Sequence, residues 1–440
     1  MKFVINGGKK LEGTTSVSGA KNASLKALVA ACLTDELVTI ENIPLISDLL
    51  VMVEIIKELG GEISIGDHKV KVRMANFKKT KIALERALEI RTSAMFMSPL
   101  LARARKAVIP NPGGCRIGAR PIDRIIEGLR LMGADIEYKS EDGYFYMDAP
   151  QGLKGVNYTF AKNTHTGTES MILAGVLASG ITILDNAAQE PEIDELIGML
   201  NSMGAKIKRT NTRQITIEGV EKLHGTTYKI GPDRNEIATI AAAAIITKGD
   251  VIIKDAHRAE IDTFVEKLVE AGGGVEETSL GLRFFYKGPL KAVDVTTTPY
   301  PGFMTDWQGP WATLMTQAKG ESIIHETVFE FRFGYCSELR KMGAKIELFN
   351  PEVLNPKSFY NFNPDDDKSE YKHAAKIFGE TPLHNAVVII ADLRAGATLV
   401  LAALAAKGES VILEVEHLDR GYEKFDERLR ALGADIVREN

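Results

Sequence analysis

One phrase recurs six times along this chain of 440 residues. A helical stretch ends in Gly-Gly or Gly-Ala, and an alternating segment follows. The first three copies are Leu59-Gly60-Gly61-Glu62-Ile63, Met132-Gly133-Ala134-Asp135-Ile136 and Met203-Gly204-Ala205-Lys206-Ile207. The last three are Ala271-Gly272-Gly273-Gly274-Val275, Met342-Gly343-Ala344-Lys345-Ile346 and Leu432-Gly433-Ala434-Asp435-Ile436. From Gly60 to Gly433 the leading glycines lie 73, 71, 68, 71 and 90 residues apart. Glycine just past a helix takes the left-handed conformation that other residues resist, and the alternation after it predicts a strand. Self-similarity at a fixed period means a fold built by repetition, here with a period longer than in solenoids.

A second helix precedes each phrase. These helices open near Lys21, Arg91, Thr164, Asp233, Asp306 and Asp392, turn apolar, and lead into β-branched strands. Ala23, Ser24, Ala27, Ala30 and Ala31 in the first, and Ala238 with Ala241 to Ala244 in the fourth, are small enough for close helix packing. The expectation is interior helices covered by sheets. The length suggests two domains, and six repeats divide into three and three. The boundary falls near Ile230-Gly231-Pro232, with residues 20–230 as one domain and 231–440 in the other. Phe3-Val4-Ile5 stands outside the first repeat, and periodicity does not assign it to a domain. The long last interval holds an insertion at about 350–380, with Pro351, Pro356, Asp365-Asp366-Asp367-Lys368 and the aromatics Phe359, Tyr360, Phe362 and Tyr371. A loop this long is functional or disordered. The favoured reading is a surface excursion, with a lid or partner contact as the lesser one.

Apolar residues make up 45% and charged residues 26%, as in soluble globular proteins. The net charge of −5 gives no bulk attraction to nucleic acid or an anionic membrane. Any anion must be held by a local cluster of basic side chains. Cys32, Cys115 and Cys336 show no metal-ligand spacing, and their odd number fits a reducing compartment. The start lacks an apolar stretch suited to a signal peptide, and the apolar runs Ile237 to Ile246 and Ala397 to Ala406 are too short to span a bilayer. A cytoplasmic protein with no metal, no membrane association and no required protein partner is expected.

Asn111-Pro112-Gly113-Gly114-Cys115-Arg116-Ile117-Gly118-Ala119-Arg120-Pro121 sets one thiol in a Gly/Pro loop between two arginines. Those cations would favour thiolate and could hold an anion; the competing reading is a surface turn with an incidental Cys. Helix openings add unsatisfied N–H groups and partial positive charge, so several of them make an anion site. Basic side chains recur there: Lys21, Arg91, Lys162, His165 and Arg394, with Arg332 and Arg420 after strands. Asp306 reads either as a first-turn Asp complementing the dipole or as a base for a substrate hydroxyl. His165 reads better as a helix-start residue than as a phosphate contact. Cys32 and Cys336 read as packing residues.

These residues carry a resemblance. Ser18-Gly19-Ala20-Lys21-Asn22, Gly113 to Pro121, Asn186-Ala187-Ala188-Gln189-Glu190-Pro191-Glu192-Ile193, Thr305-Asp306-Trp307-Gln308, Glu326-Thr327-Val328-Phe329-Glu330, Asp392-Leu393-Arg394-Ala395 and Asp419-Arg420-Gly421-Tyr422 are its motifs. The chain resembles the UDP-N-acetylglucosamine 1-carboxyvinyltransferase family of enolpyruvyl transferases, close to the EPSP synthase family, over all but the insertion. The resemblance implies an α/β fold, a two-domain inside-out α/β barrel of six βαβαββ-like repeats, three per domain. It also implies that residues 1–19 join the second domain and that a cleft closes on substrate. The implied reaction moves the enolpyruvyl group of phosphoenolpyruvate to the 3′-hydroxyl of UDP-N-acetylglucosamine by addition and elimination, with no cofactor. Cys115 matches the proton donor and the fosfomycin target, and Asp306 the acid–base residue. Lys21, Arg120, Arg394 and Arg420 match cations on phosphoenolpyruvate. Asn22, Arg91, the run Arg120, Pro121, Ile122, Asp123 and Arg124, then Lys162, Asn163, Thr164, His165 and Val328 match nucleotide-sugar contacts, and Arg332 joins the substrate-binding set. Arg124, Ile125, His165, Thr166 and Trp307 depart from the usual pattern, mostly on the nucleotide side. Two alternatives stand beside this reading. One is a different acceptor, either a variant nucleotide sugar or shikimate 3-phosphate, the latter disfavoured by the Cys115 loop. The other is a non-catalytic nucleotide-sugar-binding paralogue, disfavoured by retention of Lys21, Cys115, Asp306 and Arg394 together.

Overall fold

In the computed structural model, which describes residues 1–113 and 122–440, all six repeat glycines have positive φ, from 94° to 108°. Each closes its helix with the same pair of bonds. At the third, Gly204 N–H donates to Asn201 O at 3.0 Å and Ala205 N–H to Leu200 O at 3.0 Å. This pair satisfies carbonyls that would otherwise be orphaned at the helix end. Four repeats add a side-chain clamp. Arg130, Asn201, Arg340 and Arg430, three residues before the glycine, donate to the carbonyls of Ile136, Ile207, Ile346 and Ile436, three residues after it. The clamp fixes the angle between helix and strand.

The preceding helices are interior. Every residue of Arg234–Ile246 and of Gln308–Thr316 is buried. Alanine, glycine and threonine make this possible by letting axes approach. A Cβ on Gly309 would meet Thr398 Oγ1 of the neighbouring helix Leu393–Ala405 at 2.0 Å. The second repeat departs from a regular helix. Its segment winds as 3₁₀ over Arg91–Phe96, α over Met97–Pro99 and π over Leu100–Ala104. Pro99 has no N–H for the regular ladder, which accounts for a change of winding there.

Among the described residues, six sheets cover these helices, five of four strands and one of three. In each four-stranded sheet one strand pairs in parallel with the strand after the interior helix. Thr227–Lys229 runs parallel to Val38–Glu41, so the third repeat closes on the first. Glu12–Ser16 runs parallel to Asp250–Lys254. In the three-stranded sheet a single parallel bridge, Lys81 to Val108, stands where the fourth strand would be. Lys2–Asn6 lies antiparallel between Glu409–Leu413 and Asp435–Glu439. It takes the place that the second hairpin strand holds in the other repeats, which explains an apolar strand outside the first repeat.

The chain separates into two compact units. One is Met1–Ser18 with Pro232–Asn440; the other is residues 19–113 with 122–231. Each has its own apolar core. The excess length of the fifth repeat lies in the hairpin loop 350–373, while Ala374–Gly379 is a strand of that repeat's sheet. Among the described residues, no helix is long and apolar enough to cross a membrane.

The repeat glycines give a direct test. Among the described residues, nothing lies within 4 Å of a Cβ built on Gly133, whereas one on Gly343 meets His384 Cδ2 at 2.9 Å. Gly133→Ala should cost about 1–2 kcal/mol from backbone conformation alone, and Gly343→Ala more. Urea unfolding midpoints measure this. An unchanged midpoint for Gly133→Ala would remove the requirement for a left-handed residue.

Candidate active site

The openings of the interior helices carry the polar groups. In the unit formed by Met1–Ser18 and Pro232–Asn440, two acidic openings are caps. Asp233 Oδ1 accepts from Asn235 and Glu236 N–H, and Asp392 Oδ1 from Arg394 and Ala395 N–H. Asp306 is different. It lies inside the 3₁₀ turn Thr305–Trp307, and its carboxylate accepts from Arg332 at 2.8 Å and Arg394 at 3.1 Å. Burial alone would raise its pKa. Arg394, then Arg332, outweigh burial and hold it well below the usual carboxylate range. The reading of Asp306 as a plain dipole-complementing Asp therefore gives way to a doubly paired carboxylate.

Arg394 has a second partner, the Tyr422 hydroxyl at 3.0 Å, which also bonds Thr239 Oγ1 at 2.8 Å. Trp307, next to Asp306, is fully buried and meets Phe264 and Phe303 edge-on at 5.8 and 5.6 Å. It anchors the turn in the core.

A buried carboxylate, Glu326, organises the rest of this cluster. Oε2 accepts from Thr305 Oγ1 at 2.9 Å and Gln308 Nε2 at 2.6 Å. Oε1 accepts from Val328 N–H at 2.8 Å and Phe329 N–H at 3.0 Å. One side chain thus ties the turn of Asp306 to the segment of Val328. Asp419, beside Arg420, pairs with Arg438 through two bonds of 2.7 and 2.8 Å. Ser18 N–H donates to Glu236 Oε2 at 2.6 Å, and Arg428 bonds both residues, fastening the Ser18 motif.

In the other unit Lys21 opens its helix and pairs with Asp48 at 2.6 Å, both nearly buried. Asn22 follows it, half-buried. Arg91 opens the 3₁₀ segment. Ile122 precedes the helix Asp123–Leu131, in which Asp123 is exposed, Arg124 half-buried and Ile125 in the core. Lys162 is held below the ordinary lysine pKa, first by burial and then by the charge of Arg124. That coupling brings two sequence-predicted cations into one field. Asn163 donates to Asn186 O at 3.4 Å, and Thr164 caps the third helix by accepting from Gly167 N–H. His165 Nε2 lies 3.1 Å from Glu169, which also faces Lys26 at 3.3 Å. His165, half-buried, thus sits against a buried ion pair.

Cys115, Arg116, Arg120 and Pro121 lie outside the described residues. Cys32 and Cys336 are buried free thiols, each pushed up to about 12 by burial. Among the described residues, no group of three or more His, Cys, Asp or Glu could hold a metal ion. Sequence reasoning missed Asp48, the bond of Tyr422 to Arg394, the clamp role of Glu326 and the Lys26–Glu169 pair. Asp48 had one signal, an acidic first turn in the helix Ser47–Leu59.

A family model described as EPSP synthase (3-phosphoshikimate 1-carboxyvinyltransferase) matches residues 5–429. The chain is 42% identical over 439 residues to UDP-N-acetylglucosamine 1-carboxyvinyltransferase of Magnetococcus marinus, covering 99% of both. It is 42% identical over 442 residues to the protein of that name from Acidobacterium capsulatum, covering 99% of this chain and 96% of the relative. The enolpyruvyl transferase NikO from Streptomyces tendae superposes with a TM-score of 0.84 at 23% identity, over 99% of this chain and 98% of that one. EPSP synthase from Acinetobacter baumannii does so with a TM-score of 0.74 at 18% identity, over 100% of both. These two structures show the fold, that of the enolpyruvyl transferases. The chain belongs to the UDP-N-acetylglucosamine 1-carboxyvinyltransferase family, within the wider EPSP synthase family.

Proposed function

We propose that this chain transfers the enolpyruvyl group of phosphoenolpyruvate to the 3′-hydroxyl of UDP-N-acetylglucosamine and releases phosphate. The observation that carries the reading is the Asp306 carboxylate between Arg332 and Arg394. It supplies a base and two guanidiniums at one point, as the reaction requires. Lys21, Arg120, Arg394 and Arg420 hold the anionic donor. Asn22, Arg91, residues 120–124, Lys162 to His165, Val328 and Arg332 hold the acceptor, with Arg124 and Lys162 toward its diphosphate.

In the addition step the acceptor oxygen loses its proton to Asp306 and bonds the central carbon of phosphoenolpyruvate. Cys115 protonates the methylene carbon. Elimination then breaks the bond from the central carbon to the phosphate oxygen, the leaving phosphate takes the proton held by Asp306, and the methyl group returns a proton to Cys115. Asp306 is a weak base while both arginines hold it. A bound donor anion competes for Arg394, weakens that hold, and raises the basicity of Asp306 when the hydroxyl is in place. The product class fits the first committed step of peptidoglycan precursor synthesis, in the cytoplasm.

Phosphate release assayed with UDP-N-acetylglucosamine, other UDP-sugars and shikimate 3-phosphate tests the acceptor, with the first expected to dominate. Asp306→Asn should lower turnover by about 10²–10⁴-fold while acceptor binding persists. Near-normal turnover in that variant would sink the assignment.

Fosfomycin should alkylate Cys115: the thiolate opens the epoxide and the released alkoxide takes a proton. Cys32 and Cys336 should stay unmodified, because burial keeps them protonated. Peptide mass spectrometry locates the adduct. An adduct on Cys32 or Cys336, or none in a protein that turns over substrate, contradicts the role of Cys115.

A further inference from the structure

The hairpin loop 350–373 runs over the surface, as favoured from sequence, but it is not featureless. Equivalent hairpins in three other repeats turn in two residues, at 67–68, 212–213 and 279–280. This one folds back on its own sheet and buries Tyr360, Phe362 and His373. Tyr360 and Phe362 stack at 4.7 Å, and His373 lies 5.1 and 5.0 Å from the two rings. Asp367 fixes His373 Nε2 at 2.9 Å. The loop therefore has a defined shape with a small core.

What it grips is specific. Asn361 N–H donates to Thr327 O at 2.7 Å. The Tyr360 hydroxyl lies 3.2 Å from His325 Nε2. The Tyr371 ring sits 4.9 Å from that of Phe331. All three contacts fall on residues 325–331, the segment whose Val328 and Phe329 N–H groups are held by Glu326. The next residue, Arg332, pairs with Asp306. The segment is thus fastened from one side by Glu326 and from the other by the loop.

We propose that the loop 350–373 is a positioning element for the acceptor, setting residues 325–332 so that Val328 and Arg332 meet the nucleotide sugar. Tyr360, Asn361 and Tyr371 are its positioning residues, acting through the segment they grip. The proposal rests on the function proposed above. It predicts a difference between the two substrates, because the contacts named above fall on the segment assigned to the acceptor. A two-residue turn would close the hairpin without these contacts.

The test uses the full chain with residues 351–372 replaced by a short Gly-Ser linker, and separately Tyr371→Ala, which removes a half-buried ring and should fold even if the replacement does not. Amide hydrogen exchange of residues 325–332 should accelerate in both, while the two cores keep their protection. The KM for UDP-N-acetylglucosamine should rise about tenfold and that for phosphoenolpyruvate change less than about twofold. Unchanged exchange in the segment, or a parallel rise of both KM values, would overturn the proposal. Absence of phosphate release from the unaltered chain would instead defeat the function proposed above, and the exchange measurement would still decide whether the loop positions the segment.

Discussion

A helix covered on every side can offer polar groups to solvent or a ligand only at its ends, and must pair any that it carries within. This constraint shapes both units of the chain. Interior helices such as Arg234–Ile246 bury all their residues, so their flanks must be small and apolar. Polarity is driven to the openings, where backbone N–H groups lack partners and favour negative charge. Lys21, Thr164, Asp233, Asp306 and Asp392 all stand at or beside such openings. The repeat glycines serve the same end, turning the chain sharply so that each sheet can cover its helix.

Charges at these openings are largely removed from water, and their pairing decides what they can do. A buried ion pair gains little net stability over an apolar pair, yet losing one partner costs several kcal/mol, about 3–5. Asp306 with two arginines, and Lys21 with Asp48, are therefore fixed against one another by their pairing. Such preorganisation is the main electrostatic route to catalysis.

The fold was legible where it repeats. The six glycines and six helix openings follow from periodicity, and each glycine carries the predicted left-handed backbone. Contacts between distant elements were not legible. Asp48 meets Lys21 from another helix. Glu326 looks like an ordinary acidic residue until its four donors are placed. Lys26 and Glu169 sit in helices that read as apolar, because an ion pair hides from hydrophobic patterning. The loop 350–373 is rich in Pro, Asn and Asp, which read as turns, and its aromatic core appears only when Tyr360, Phe362 and His373 are brought together. At Arg91 the opening was legible, but the change of winding around Pro99 was not.

The most direct test of addition and elimination is isotopic. The protein is incubated with phosphoenolpyruvate and UDP-N-acetylglucosamine in deuterated water, and the nucleotide product is analysed by mass spectrometry and proton NMR. Addition places a solvent-derived deuteron on the methylene carbon, so elimination should leave deuterium in a fraction of the product's vinyl groups. An enolpyruvyl product free of deuterium, or phosphate release with no enolpyruvyl product, would contradict the account.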